Sequence, residues 1–180
     1  MPTSSPTAEL WDTIALEAQR ESSLWGEALL PPAERERIPV FSPLGEPRFA
    51  LGIETIYEGY LLHYGRPRLF APETPERALL LGDYLYAHGL VRVADEGDVT
   101  HVSDLAELIS LCAQQRADDG AGEDWAWAST VALIGSGALG EARAALRERG
   151  DVQPLAALAV SVAGAEAVER ARAAHAPRVR

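Results

Sequence analysis

No lysine occurs in this sequence: all sixteen cationic side chains are arginine. Schiff-base chemistry at a lysine amine and a lysine-dependent phosphate loop are thereby excluded. Positive charge of any kind is outnumbered by 27 acidic residues, and the net charge of −11 leaves no basic stripe to hold nucleic acid or an anionic membrane surface. Cysteine is reduced to Cys112, which cannot close an internal disulfide and reads as a small core residue. The N-terminus lacks the basic start and apolar run of a signal peptide, and no stretch approaches eighteen uninterrupted apolar residues. A cytoplasmic protein without a membrane span is the expectation. His63, His88, His101 and His175 show no paired spacing on one helical face, which argues against zinc. Ser136 lacks the flanking residues of a nucleophile elbow.

What is present is helical rhythm. No segment alternates apolar and polar residues for long, so no sheet is expected, and 180 residues at 47% hydrophobic content suit one core. The reading is all-α, a single-domain helical bundle, with residues 1–47 as an N-terminal helix and proline-rich connection and residues 48–176 as the helical core. Ser5 and Pro6 read as the cap and first turn of a helix carrying Leu10, Trp11, Ile14 and Ala18, with Leu24, Trp25, Ala28 and Leu29 prolonging it or forming a further turn before Pro31 and Pro32. Residues 48–64 place Phe49, Ile53, Ile56, Tyr57, Tyr60, Leu61 and Tyr64 in a three-four rhythm.

Residues 74–94 read as the central helix. Thr74 caps it, Pro75 occupies its first position, and apolar residues from Leu79 to Val93 fall on most faces, so it is expected to be buried on most sides and to end with Gly97 in a left-handed cap. A following helix is expected to start at Asp104, with Asp104 and Glu107 at capping-box spacing. Residues 118–124 are acidic and glycine-rich, a loop by composition. Beyond them an apolar helix restarts near Trp125, and alanine-rich segments at 139–149, 152–163 and 166–174 complete the bundle.

Three stretches in order suggest a family. Leu81-Gly82-Asp83-Tyr84-Leu85-Tyr86-Ala87 resembles the LLGDYLLA run of the trans-isoprenyl diphosphate synthases. Residues 53–63 resemble their IELIHxxxLIH helix, and Gly65-Arg66-Pro67 resembles the RGxP that follows. The resemblance covers roughly residues 48–113 and implies a truncated isoprenoid-synthase-like helical fold. It also implies association through residues 74–94, as a homodimer or as a heteromer with a full-length prenyl synthase, with Leu85, His88 and Val91 as interface candidates.

The departures from that family bear on activity. His63 is followed by Tyr64 and Gly65 where the family carries DDxxD, the lysine-bearing GGKRLRP motif is impossible, and a second aspartate motif has no counterpart. Ionising an allylic diphosphate needs magnesium and cations on the leaving group. The implied function is a non-catalytic relative: an accessory or regulatory subunit, or a binder of a prenyl-like ligand, needing no cofactor or metal.

The alternative is a small enzyme on an isoprenoid-type or other apolar substrate, with a rebuilt carboxylate site and magnesium its only plausible cofactor. Pocket candidates on either reading are Glu54, Tyr57, Glu58, Leu61, Asp83 and Tyr84. Glu54 and Glu58, one turn apart, read as a metal pair or, more ordinarily, as a solvent-facing pair.

Overall fold

The computed structural model describes residues 6–179; Ser5, expected as the first cap, lies outside them. Among the described residues the chain forms nine α-helices: α1 (Pro6–Glu21), α2 (Ser23–Glu27), α3 (Ala50–Tyr64), α4 (Pro75–Glu96), α5 (Val99–Ala117), α6 (Glu123–Ala132), α7 (Gly140–Arg149), α8 (Gln153–Ala163) and α9 (Ala165–His175). Three short 3-10 turns and two isolated bridges, Leu29 with Phe70 and Gly65 with Val179, are the remaining regular elements. No described helix is long and apolar enough to cross a membrane.

The buried centre is α3, not α4. Eleven consecutive residues of α3, Gly52 to Leu62, are buried, whereas α4 buries only Leu81, Gly82, Leu85, Gly89 and Val93. Leu81, Leu85, Gly89 and Val93 recur every four residues and, with Gly82 beside them, form one stripe. Tyr84, Tyr86 and Leu90 are half-buried, and Leu79 (50% exposed), Leu80 (60%) and Val91 (56%) face outward, so the expectation of a helix buried on most sides fails. Helical period, rather than apolar content, decides which face goes in.

Two clusters of buried side chains flank α3. The larger one joins Phe41, Ile53, Tyr57, Leu105, Leu108, Trp127, Leu146 and Leu155; the smaller one seats Trp11, Ile14 and Ala18 of α1 against Leu62, Phe70, Leu81 and Leu85. Each large aliphatic or aromatic residue fully withdrawn from water contributes roughly 1.5–3 kcal/mol.

α3 and α4 run antiparallel and touch along paired glycines. A methyl group on Gly59 would lie 2.9 Å from the Gly82 carbonyl oxygen, and one on Gly89 would lie 2.9 Å from the Gly52 carbonyl oxygen. Gly52 and Gly59 on one helix, and Gly82 and Gly89 on the other, are seven residues apart, which is two turns and one face.

Helix starts follow the chemistry of their caps. Thr74 Oγ1 accepts from the Arg77 amide at 3.3 Å and Pro75 follows it, as the sequence predicts. α5 starts at Val99, five residues before the expected start at Asp104, because Asp98 is the cap: its carboxylate accepts from the Thr100 amide at 2.8 Å and the His101 amide at 3.3 Å, and His101 reaches back. Asp104 instead lies inside the helix and binds Arg143 Nη1 and the Gly135 amide, each at 2.8 Å. Gly97 is extended, with φ −135°, rather than left-handed.

Candidate functional site

The charged constellation nearest the expected site is Glu54, Glu58 and Arg68. Both carboxylates project from α3, the most enclosed helix, and all three side chains are 0% exposed. Taking such charges out of water is costly unless every lone pair and proton finds a partner. Here they do. Glu54 accepts from the Val40 amide (3.0 Å), the Ser42 amide (3.2 Å) and Arg68 Nη1 (2.7 Å). Glu58 accepts from the amides of Arg68 (2.8 Å) and Leu69 (2.7 Å) and from Arg68 Nε (3.0 Å).

The Arg68 guanidinium also donates to the Ile38 carbonyl at 2.9 Å and lies between the rings of Trp11 and Tyr57, 4.5 and 4.9 Å from their centroids. Burial works against its charge, but the two carboxylates outweigh it and hold the Arg68 pKa above the usual arginine value. The constellation fastens residues 38–42 and 68–69 onto α3. Its carboxylates have no free lone-pair direction facing solvent, so the expectation of a solvent-facing or metal-holding pair is corrected on both counts. Among the described residues no group of three or more histidine, cysteine, aspartate or glutamate side chains is placed to hold a metal ion.

The other candidates do not converge on it. Tyr57 and Leu61 are core residues. Tyr57 meets His175 Nδ1 through its hydroxyl at 2.9 Å, and burial raises the Tyr57 pKa while pushing that of His175 down to about 4. Asp83 points outward, with a side chain 69% exposed, 3.2 Å from His63 Nε2, although that nitrogen has no well-aligned hydrogen bond. Tyr84 is half-buried, stacked on His88 with ring centroids 5.3 Å apart. The six pocket candidates therefore split between the inside of α3 and the outside of α4.

The aromatic side chains fill space instead of lining it: Phe41, Tyr57, Tyr60 and Trp127 pack with centroids 5.1–5.9 Å apart. Tyr60 donates to Glu123 at 2.5 Å, and Arg116 binds both groups. Three hollows lie elsewhere, and none of these three is lined by the six candidates. One of about 550 Å³ lies among Leu30, Leu62, Arg66, Phe70 and Thr74; one of about 530 Å³ lies among Trp11, Pro39, Pro43 and Leu51. A third, about 300 Å³, lies beside Glu17, His88 and Arg92.

The interface candidates separate as well. Leu85 is 1% exposed and belongs to the core beneath α1, so it is unavailable to a partner while α1 is in place. His88 Nε2 is 2.8 Å from Glu17 of α1. Glu17 also pairs with Arg92, which holds Thr55 with its other nitrogen. Burial raises the Glu17 pKa, but His88 and Arg92 outweigh it and leave it below the usual carboxylate range. Of the three, Val91 alone is openly exposed.

Arg68 escaped the sequence reading. Its signal was indirect: two glutamates among Ile53, Ile56, Tyr57 and Leu61 on a helix with no polar face require a buried cation nearby.

Comparison with known protein families, with curated proteins and with solved structures finds no match.

Proposed function

We propose that this protein is a non-catalytic, isoprenoid-synthase-like helical protein that works by association, as an accessory or regulatory subunit in isoprenoid metabolism. The observation that carries the reading is the saturation of Glu54 and Glu58 by Arg68 and by backbone amides, which leaves neither carboxylate for magnesium or acid-base work. The enzymatic alternative needs Glu54, Glu58 and Asp83 in one cleft, and the full burial of the two glutamates against the 69% exposure of the Asp83 side chain counts against it. A prenyl-ligand role is less favoured, because the pocket candidate Tyr57 packs on Tyr60 and Trp127 in the core.

The surface offered for association is the outward face of α4, where Leu80, Ala87, Val91 and Ala94 are exposed at helical spacing. The partner is a second copy or a full-length prenyl synthase. Purified protein supplied with magnesium and with allylic plus homoallylic diphosphates is expected to form no elongated product; turnover above a no-enzyme control overturns the proposal. Light scattering separates the partners. A dimer of the chain alone is the homomeric case, and a monomer that assembles only with a co-expressed synthase is the heteromeric one.

A further inference from the structure

The break between α1 and α2 is one residue long. Ser22 is extended (φ −152°, ψ 139°), its hydroxyl accepts from the Leu24 amide, and helix resumes on both sides. The sequence carries helical spacing straight through it, from Leu10, Ile14 and Ala18 to Leu24, Trp25 and Ala28. Turning Ser22 alone into helical geometry would make residues 6–27 one rod about 33 Å long, at 1.5 Å per residue. That rod would carry α1 away from the groove it fills.

α2 would stay behind. Trp25 lies against Tyr84 at 6.2 Å between centroids, and the chain just beyond is tied down by Leu30 N to the Leu69 carbonyl (2.9 Å) and Ala71 N to the Ala28 carbonyl (2.7 Å).

The groove has specific chemistry for α1. It takes Trp11 over the Arg68 guanidinium, Ile14 and Ala18 against Leu81 and Leu85, and the Glu17 carboxylate on His88 and Arg92. Left open, it would bare an apolar face and unroof a buried arginine. The segment that matches it feature for feature is α1 of another copy.

A second observation selects the same occupant. Leu16 (43% exposed) and Leu24 (42%) are left outside in the bent form, and a continuous helix would bring them, eight residues apart, onto one face. Two straightened rods, one from each copy, would then have an apolar strip on which to cross.

We infer that the groove beneath α1 is an interaction surface for α1 of a second copy of this chain, which exchanges its first helix by straightening at Ser22. Each half of the dimer then completes the other, the partner's Trp11 roofing Arg68 and the partner's Glu17 engaging His88 and Arg92. The exchange is independent of the accessory role.

Two measurements test it. Differently tagged chains, one carrying Glu17→Cys and the other His88→Cys, are unfolded and refolded together at high concentration and treated with a short bis-maleimide; Cys112 is buried and should stay unreacted. Covalently joined pairs bearing both tags are expected. In parallel, Ser22→Ala removes the cap and favours the continuous helix, whereas Ser22→Gly keeps most of the cap and disfavours it. The alanine variant should dimerise at least about ten-fold more tightly by light scattering. Monomers throughout, an equal or reversed order of the two variants, or a dimer that gives no joined pair and falls apart on Val91→Asp would each overturn the exchange.

Discussion

Gly59 and Gly82 occupy the same point in space from opposite sides. A β-carbon on Gly59 would stand 2.9 Å from the Gly82 carbonyl oxygen, and one on Gly82 would stand 2.6 Å from His63 Nε2 and 3.2 Å from the Gly59 carbonyl oxygen. Alanine gains up to about 1 kcal/mol over glycine in an open helix. Forcing the two backbones apart costs about 1–3 kcal/mol and outweighs it. Gly59→Ala is therefore expected to lower stability in urea unfolding, while Gly140→Ala, where nothing lies within 4 Å of the added atom, should leave it unchanged or raise it. Equal effects at the two sites would refute the close approach.

Arg68→Met should be among the most damaging single changes, because it strands two buried carboxylates. Removing one side of a buried pair costs about 3–5 kcal/mol. Adding Glu54→Gln and Glu58→Gln to the same chain should restore part of the loss, since neutral amides are cheaper to bury than ions. A midpoint for Arg68→Met within experimental error of the wild type would show that the charges are not sealed in.

How far the sequence could be read depended on whether a feature repeats along the chain or is assembled across it. The all-α class and the start of α4 at Thr74 and Pro75 were legible because helical period and cap chemistry are local. Residues 139–174 were legible too, since Gly150 and Gly164 separate their alanine-rich segments at the true breaks. Burial was not legible. Nine apolar residues on α4 looked like a core, yet Leu79, Leu80 and Val91 fall off the inward stripe. Asp104 and Glu107 had the spacing of a cap, but Asp98 with His101 lay upstream, and Arg143 claimed Asp104 across 39 residues. Glu54 and Glu58 illustrate the same limit, for their partner lies on a loop whose position only the fold determines.

Acid should weaken the protein through His175. Burial holds its folded pKa near 4, below the ordinary value of 6.5, so between these values the unfolded chain binds a proton that the folded chain refuses. Stability then rises with pH across that window and is lost as pH falls from about 6.5 toward 4. A shift of this size corresponds to about 3 kcal/mol. Chemical denaturation at several pH values should show that slope, and His175→Gln should flatten it; an unchanged slope would assign the effect to other groups. His63, also lowered by burial, acts in the same direction.

Leu85→Ala and Val91→Asp should report on different properties. The first opens a space beneath α1 and is expected to cost about 2–5 kcal/mol. The second places a charge on an already exposed position, so the isolated chain should keep its unfolding midpoint to within about 0.5 kcal/mol. Any assembly along the α4 face should weaken. A Val91→Asp protein that unfolds outright would mean that this position is covered in the native state.

The enclosure of α3 has a kinetic counterpart. Eleven consecutive residues without access to water mean that their backbone amides can exchange hydrogen for deuterium only when large parts of the molecule open. α3 and α4 are close in sequence, so their glycine seam closes a short loop and belongs to the early, local part of folding. Another wall around α3 is built from Phe41, earlier in the chain, against Trp127 and His175, later in it, the last of these more than a hundred residues away. The same helix that pairs first is thus the last to become protected.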